Sequence, residues 1–169
     1  MRIGLVYLKP RLVAYVRRTG PYRTSAARAW GELFAWIDRQ GIRRQLTAGY
    51  GIAVDNPCRV SPDTCRYDAC IELPADFPPS RAAALSVQTL PGGAFARMRH
   101  VGPYQNARTA ITHLRDAWLG NQPNLILDKN RPVLIIYLDD PQLKDETLLK
   151  CDVCLPVSVG AGEREAGAA

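Results

Sequence analysis

The chain repeats itself, and this duplication constrains the fold more than any other feature of the sequence. Arg18-Thr19-Gly20-Pro21-Tyr22 recurs in the second half of the chain as His100-Val101-Gly102-Pro103-Tyr104. Two further landmarks recur at nearly the same offset: Asp55-Asn56-Pro57 as Asp139-Asp140-Pro141, and Tyr67-Asp68-Ala69-Cys70-Ile71 as Cys151-Asp152-Val153-Cys154-Leu155. Three landmarks in the same order, at closely agreeing offsets, indicate two copies of one unit.

Each copy contains the same order of predicted elements, β-α-β-β. An apolar strand is followed by the Gly-Pro-Tyr turn, in which proline sets φ for a turn or a first helical position. A helix comes next because apolar residues recur with the period of a helix, and Gly41 and Gly120-Asn121 are expected at the two helix C-termini. Two more strands complete each copy. The apolar helix positions are Ala26, Trp30, Leu33 and Ile37 in the first copy and Ala107, Ile111, Leu114 and Trp118 in the second.

The repeats predict an α+β fold of duplicated β-α-β-β units related by a pseudo-twofold axis. Each unit has antiparallel strands and covers one face of its sheet with its own helix, so the opposite faces are left for a central groove. We expect one domain over residues 1–158, with repeat 1 at about 10–75 and repeat 2 at about 92–158. Residues 159–169, rich in small residues without an apolar pattern, are expected to form a disordered tail.

Charge and hydropathy exclude several classes of protein. The net charge of +6 comes from 18 arginines and 4 lysines against 16 acidic residues, but the arginines are scattered and follow no nucleic-acid-binding motif. Direct nucleic-acid binding is therefore not expected. No apolar run approaches the ~20 residues of a membrane span, and the apolar stretch before Lys9-Pro10 is too short for a signal peptide. We expect a cytoplasmic protein without membrane contact.

Five cysteines and one glycine-rich segment do not predict a cofactor site. An odd cysteine count without a secretory signal argues against a disulfide framework. Cys151 and Cys154 spell C-x-x-C within a strand pattern, where residues i and i+3 point to opposite faces, so their sulfurs would not converge on a metal. Pro91-Gly92-Gly93 precedes a predicted strand, whereas phosphate-binding loops precede helices. Neither a metal nor any other cofactor is expected.

The last strand of each copy places an acidic residue on the face away from the helix. Asp152 and Cys154 alternate with the apolar residues that face the helix, and Asp68 and Cys70 are their counterparts. Two interpretations are open on spacing alone. One is exposed ion pairs, Arg66 with Asp68 and Lys150 with Asp152, worth ~0–1 kcal/mol. The other is a carboxylate in the groove that attracts an organic cation through charge and cation–π contacts, with walls from Tyr22, Tyr50, Tyr104 and Tyr137.

These features together resemble the GyrI-like domain, the effector-binding domain of AraC- and MerR-type multidrug-responsive regulators, which also occurs as stand-alone proteins. The resemblance rests on the repeated plan, the Gly-Pro-Tyr turns and the segments at residues 67–74 and 152–157, and it covers roughly residues 10–158. It implies a groove that binds hydrophobic, often cationic, small molecules. Asp152 occupies the family's acidic position, and Cys154 stands where an aromatic residue is usual, which implies a roomier or chemically different pocket.

The resemblance implies three activities, of which ligand binding is the one we expect. As a stand-alone sensing or sequestering module without its own DNA-binding segment, the chain would bind an aromatic or cationic small molecule and act with a separate regulator. The alternatives are a hydrolase of electrophilic cyclopropane toxins, in which Asp152 would be catalytic, and an inhibitor that contacts DNA gyrase. The candidate ligand-binding residues are Asp152, Cys154, Asp68, Cys70, Tyr22, Tyr50, Tyr104 and Tyr137.

Overall fold

The computed structural model describes residues 2–160 and confirms the α+β class and the duplicated unit. The order β2-α1-β3-β4 of the first half recurs as β6-α2-β8-β9 in the second. In chain order the elements are β1 (Ile3–Leu8), β2 (Arg11–Thr19), α1 (Tyr22–Gln40), β3 (Gly49–Ala53), β4 (Arg66–Ile71), β5 (Ser86–Leu90), β6 (Gly93–Val101), α2 (Ala107–Thr112), β7 (Leu125–Leu127), β8 (Leu134–Tyr137) and β9 (Lys150–Val159).

The two halves join edge to edge in one antiparallel sheet, instead of forming two separate sheets. The strand order is β1-β6-β9-β8-β3-β4-β2-β5, with β7 paired to β9. Strands β3 and β8 pair at the centre, where Gly51 lies opposite Ile135. These two residues occupy equivalent positions of the two repeats. The pseudo-twofold axis therefore passes between them.

Strands β1 and β5, which were not predicted, exchange places between the halves. Each precedes one repeat but pairs with the first strand of the other: β1 with β6, and β5 with β2. The connections from β1 to β2 and from β5 to β6 run close together, because a Cβ added at Gly92 would lie 2.5 Å from the carbonyl oxygen of Leu8. This exchange ties the two halves together at the sheet edges.

Both helices cover the same face of the sheet, which we call the convex face. Leu33 and Ile37 of α1 pack on Ala69 and Ile71 of β4, and the second half has an equivalent cluster under α2. Gly41 ends α1 in the left-handed region (φ 69°), as predicted. The helical stretch of the second half ends near the predicted Gly120-Asn121, because α2 continues through a π-helical turn (His113–Trp118) into a 3-10 turn (Leu119–Asn121). Gly120 is not the left-handed cap that was expected there, and the Asn121 side chain donates to the carbonyl oxygen of Ala117 instead.

The other face of the sheet is concave and closes on itself without a helix. One buried cluster on this face includes Val6 of β1, Tyr50 of β3 and Leu90 of β5. Strands β1 and β2 are six strand positions apart in the sheet, yet only Lys9 and Pro10 join them. A flat sheet would separate these strands by about six spacings of ~4.8 Å, far more than two residues can span. The sheet is therefore curled into a half-barrel, and its inner surface is the predicted central groove.

The C-terminal strand extends further than predicted. Strand β9 runs through Val159, which pairs with Leu125 of β7, so the expected tail at 159–169 does not begin at its first residue. Residues 161–169 lie outside the described part of the chain. Between residues 2 and 160, no helix combines the length and hydropathy that crossing a membrane requires.

Candidate functional site

Two carboxylates are buried on the concave face at equivalent positions of the halves. Asp68 of β4 is 1% exposed and Asp152 of β9 is 5% exposed. Cys70 and Cys154 contribute to the same face, as predicted from strand alternation. Cys151 lies in the convex-face core under α2, so the two sulfurs of the C-x-x-C segment point to opposite sides of the sheet.

Each carboxylate is held by an arginine on the neighbouring strand. Arg17 of β2 lies opposite Asp68 and donates from Nε to Oδ1 (2.7 Å) and from Nη2 to Oδ2 (2.8 Å). Arg99 of β6 lies opposite Asp152 and contacts both of its oxygens in the same way. Such bidentate charge-assisted pairs are strong and directional. The negative charge expected in the groove is therefore compensated in both halves.

The ion pairs of the first interpretation, Arg66 with Asp68 and Lys150 with Asp152, do not form. Arg66 donates to Asp55 instead of Asp68, at 2.9 Å from Nε and 2.7 Å from Nη2. The equivalent carboxylate in the second half, Asp139, accepts from the Lys144 ammonium (2.8 Å) and from the main-chain N–H of Lys150 (2.8 Å). The Arg66 guanidinium lowers the pKa of Asp55 to about 2, and Lys144 lowers the pKa of Asp139. These contacts connect the end of β3 to the start of β4, and the end of β8 to the start of β9.

The surroundings of the two carboxylates differ. Asp68 accepts a third hydrogen bond, from Nε2 of Gln88 at 2.8 Å. The residue equivalent to Gln88 is Val6, which cannot donate from its side chain. Asp152 has instead a second guanidinium nearby, with Nη1 of Arg97 4.0 Å from Oδ2. The first carboxylate is therefore fully enclosed, and the second lies beside an arginine that does not hydrogen-bond to it.

Arg97 has small neighbours on both sides across the sheet. Gly4 of β1 and Cys154 of β9 are its paired residues, and a Cβ added at Gly4 would meet nothing within 4 Å. Among residues 2–160 the Arg97 guanidinium makes no hydrogen bond. The residues that pair across the sheet at the equivalent positions of the first half are Ser86, Tyr15, Cys70 and Tyr50. Ser86 stands there in place of Gly4, so this row of paired residues has less open space than the row that contains Arg97.

A third ion pair lies toward one end of the concave face. Glu72 accepts from Nη1 of Arg11 (2.5 Å) and from the Tyr50 hydroxyl (2.8 Å). Burial, and next the hydrogen bond to the Glu72 carboxylate, raise the pKa of Tyr50 to about 12. A cleft of about 320 Å³ lies beside this pair, lined by Lys9, Pro10, Arg11, Leu12 and Glu72.

Tyr50 is the one predicted groove tyrosine that faces the concave side. Tyr22 and Tyr104 follow the two Gly-Pro turns, and their hydroxyls donate to the carbonyl oxygens of Asp55 (2.6 Å) and Asp139 (2.8 Å). Tyr137 alternates with the concave-face residue Ile136, so it points to the convex side. Of the four tyrosines expected as groove walls, three (Tyr22, Tyr104 and Tyr137) therefore pack on the convex side of the sheet.

Three aromatic side chains on the convex side, Trp30, Tyr67 and Tyr137, join the two halves. Trp30 of α1 donates from Nε1 to the Tyr67 hydroxyl (3.0 Å), which lies 3.2 Å from the Tyr137 hydroxyl across the central strands. Gly51 lies beneath this pair, where an added Cβ would be 2.3 Å from the Tyr67 oxygen. Arg43 adds an ion pair with Asp140 of the other half (2.6 Å). The convex side of the seam is thus tightly bonded.

The cysteines of the described region are free thiols. Burial raises the pKa of Cys151 and Cys154 to about 12 and raises that of Cys70 further. Residues 2–160 contain no cluster of three or more His, Cys, Asp or Glu side chains that could hold a metal ion. The concave face therefore offers carboxylate, guanidinium, phenol and apolar groups to a ligand.

Sequence reasoning missed the arginines and Tyr15, although the duplication contained a signal for them. Val13, Tyr15 and Arg17 alternate along β2 on the concave face, and Phe95, Arg97 and Arg99 are their counterparts on β6. A basic residue therefore recurs opposite the acidic residue in both copies. Extending the repeat comparison to the first strand would have identified the pairs.

Comparison with known proteins agrees with the fold. Residues 1–158 match the family model described as the GyrI-like small molecule binding domain. A DNA gyrase inhibitor of Cronobacter sakazakii is 29% identical over 163 residues, which are 93% of this chain and 97% of that protein. A hydrolase from Listeria innocua has the same fold, with a TM-score of 0.65 at 15% identity over 93% of this chain and 92% of the other.

A second solved structure, SAV2435 bound to tetraphenylphosphonium, superposes with a TM-score of 0.57 at 14% identity over 94% of both chains. These two structural likenesses concern the fold alone. The family match, in contrast, extends through nearly the whole chain and includes both carboxylate strands. This chain therefore belongs to the family of GyrI-like small molecule binding domains.

Proposed function

We propose that this protein is a binding module that senses or sequesters apolar small molecules on its concave face. The observation that carries the proposal is the recurrence of a buried carboxylate–arginine pair in both halves, on an apolar face that no helix covers. Each carboxylate is buried while its arginine remains 37% or 48% exposed, so each pair carries the desolvation cost of the carboxylate, and apolar replacements are often as stable. A need for fold stability alone would not favour two such pairs, whereas ligand recognition would.

The apolar part of the proposed site comes from half-buried side chains between the ion pairs. Val6, Leu8, Tyr15 and Ile136 pack against the buried cluster while keeping part of their surface accessible. Ligand sites usually combine such apolar walls with a few oriented polar groups. Hydrogen bonds and an ion pair on the convex side hold the two halves in a fixed relative position. We therefore expect a ligand to be accommodated by movement of side chains and edge strands of the concave face, and not by separation of the halves.

The proposal is tested by filling the open space beside Arg97. Gly4→Phe places a ring where an added Cβ meets no atom within 4 Å, and Gly31→Phe adds the same ring at an equally open position on α1. We expect the neutral apolar dye Nile red to bind the unchanged protein and Gly31→Phe alike, and Gly4→Phe about tenfold more weakly, a loss of about 1.4 kcal/mol. Fluorescence titration measures this. Absence of binding, or equal binding by all three proteins, would contradict the proposed site.

A cationic ligand is a second candidate, favoured by the neighbour that is bound to tetraphenylphosphonium. In this chain a cation would have to displace Arg99 from Asp152, because both oxygens of that carboxylate are already hydrogen-bonded. The ligand-facing role of Asp152 then predicts that Asp152→Asn weakens binding of tetraphenylphosphonium, and that added salt does the same. Titration of both proteins at two salt concentrations checks it.

Two other candidates come from the relatives. The first candidate is contact with DNA gyrase, which the name of the Cronobacter sakazakii relative supports. A supercoiling assay with the purified chain tests it: inhibition of gyrase without any small molecule would support that activity.

The second candidate is hydrolysis, which the similarity to the Listeria innocua hydrolase supports and in which Asp152 would be catalytic. A general base must reach the reacting proton, so hydrolysis also requires Arg99 to release Asp152, and Asp152→Asn would abolish product formation.

A further inference from the structure

We infer that the second half of the concave face binds the acidic group of an apolar organic anion, with Arg97 as its partner. This inference rests on the proposed function and gives the class of ligand: an amphipathic acid with a carboxylate, sulfonate or similar group on a hydrocarbon or aromatic body. Its support comes from the charge balance of the face, the accessibility of its charged groups and the apolar surroundings of the arginine.

One arginine of the concave face, Arg97, has no carboxylate among residues 2–160 that pairs with it alone. Three ion pairs use three arginines and three carboxylates: Arg11 with Glu72, Arg17 with Asp68 and Arg99 with Asp152. Arg97 is a further arginine of this face, 4.0 Å from a carboxylate whose two oxygens already accept from Arg99. Its donors are therefore available to a ligand.

In the second half, accessibility differs between the two signs of charge. The side chain of Asp152 is 7% exposed, whereas those of Arg97 and Arg99 are 46% and 48% exposed. In the first half, in contrast, Arg11 and Glu72 are both accessible, at 46% and 41%. A molecule that approaches the second half from solvent therefore meets guanidinium groups before it meets a carboxylate. Opposite charge at short range is attractive and like charge repulsive, so the accessible surface of the second half favours an anion.

The space around Arg97 suits a planar acidic group. Gly4 and Cys154 flank it on the two neighbouring strands, and no atom lies within 4 Å of a Cβ added at Gly4. A guanidinium offers a planar fork of donors that matches a carboxylate in a bidentate arrangement. The equivalent position of the first half is Tyr15, so the acidic group is assigned to the second half alone.

The apolar body of the ligand has contacts available on either side of the arginine. Val6 pairs with Phe95, two residues before Arg97 on the same face of β6. Ile136 pairs with Asp152 on the other side. Both side chains are half-buried and border the concave-face cluster. A ligand with its acid on Arg97 can therefore cover apolar surface that is otherwise partly exposed to water.

The test compares three probes with one apolar body and different charge. Naphthalene carrying a two-carbon arm that ends in a carboxylate, a hydroxyl or an ammonium group is titrated into the protein at pH 7 and followed by calorimetry. We expect the carboxylate to bind about tenfold more tightly than the hydroxyl probe, the magnitude of a charge-assisted hydrogen-bonded pair, and the ammonium probe most weakly. Arg97→Gln should remove this preference, and Arg108→Gln, an exposed arginine on α2, should keep it.

The outcomes separate the charge inference from the proposed function. Carboxylate preference that disappears in Arg97→Gln and remains in Arg108→Gln supports the inference. Equal binding of the three probes, preference for the ammonium probe, or a carboxylate preference that Arg97→Gln retains would overturn it while leaving small-molecule binding in place. If none of the three probes binds, the proposed function itself is contradicted. Circular dichroism of both variants verifies that they are folded.

Discussion

The two halves of the concave face carry the same ion pair in different surroundings. In the first half Asp68 accepts hydrogen bonds from Arg17 and Gln88, and its carboxylate is almost completely buried. Around Asp152 the second half supplies Arg99 and Arg97, both about half exposed. Both carboxylates are buried, but the second half has a further, half-exposed guanidinium beside its carboxylate, so we call the first half closed and the second half open.

The exchanged edge strands cause this difference. Strand β5 contributes Gln88 to the first half, and β1 contributes Gly4 and Val6 to the second. Because each edge strand precedes one repeat in sequence and pairs with the other, each half takes part of its concave face from outside its own repeat. The first half therefore has the more enclosed carboxylate, and the second half has the guanidinium that no carboxylate of the described region holds by a hydrogen bond.

The largest expected effect is a difference in stability between two equivalent substitutions. Arg17→Met leaves the enclosed Asp68 carboxylate with Gln88 alone, and an unpaired buried charge is costly, so we expect a loss of about 3 kcal/mol in the free energy of unfolding. Arg99→Met leaves Arg97 close enough to move onto Asp152, and we expect a loss of about 1 kcal/mol. Urea unfolding midpoints measure both values.

The double variant Arg17→Met/Asp68→Leu serves as the control for this prediction. Replacing both members of a buried pair with apolar residues removes the uncompensated charge, so much of the lost stability should return. Equal losses for Arg17→Met and Arg99→Met would show that the two ion pairs contribute equally to stability and that Arg97 does not replace Arg99.

The repeated pattern was sufficient to predict the halves but not the way in which they join. Landmarks such as Gly20-Pro21-Tyr22 and Gly102-Pro103-Tyr104 are local, so turn chemistry and periodicity predicted the β-α-β-β order that is observed. Pairing of β3 with β8 through Gly51 and Ile135 depends on contacts between distant parts of the chain, and the apolar alternation of either strand does not contain that information. The single curled sheet therefore had to come from the structure.

The sequence predicted which face of the sheet a strand residue occupies, because side chains alternate along a strand. It did not predict which residues of other strands or loops that side chain contacts. Alternation placed Asp152 and Cys154 on the face away from the helix. Tyr22 and Tyr104 could not be placed by alternation because they follow turns, and their hydroxyls bond to loop carbonyls on the other side. The partner of Asp152 was missed because Arg99 lies far from it in the chain, on the first strand of the repeat.

A smaller effect concerns acid stability at the loops outside the groove. The pKa of Asp55 is lowered to about 2 by the bidentate Arg66 guanidinium, and a depressed folded-state pKa adds stability that is present above the ordinary value of about 4 and lost as pH falls toward 2. Asp55→Asn should therefore destabilise the protein at pH 7 by less than Arg99→Met, and should flatten the pH dependence of the unfolding midpoint between pH 4 and 2.

The equivalent change in the second half provides the comparison for this pH effect. Asp139 accepts one side-chain hydrogen bond, from Lys144, so Asp139→Asn should flatten the same pH range less than Asp55→Asn does. A larger effect of Asp139→Asn would show that the Asp139–Lys144 pair stabilises its loop more than the Asp55–Arg66 pair does. Thermal melts at half-unit pH intervals are sufficient to rank the two variants.

The smallest expected effect is a difference in thiol reactivity between Cys70 and Cys154. Both are buried at equivalent positions of the concave face, but the pKa of Cys154, about 12, is raised less than that of Cys70. Gln88 also approaches the Cys70 sulfur at 4.0 Å, whereas Cys154 lies beside Arg97 in the open row. Because the thiolate is the reacting species, iodoacetamide at pH 8 should modify Cys154 several-fold faster than Cys70.

The exposed Cys58 must be removed first, as Cys58→Ser, so that its fast reaction does not mask the buried thiols. Peptide mass spectrometry then follows the two sites in one sample, which makes each the internal control of the other. Faster modification of Cys70 would mean that the first half opens more readily, and the closed and open assignments would have to be exchanged. Slower modification of Cys154 in the presence of the naphthalene carboxylate would place that ligand beside Arg97, because Cys154 is the paired neighbour of that arginine.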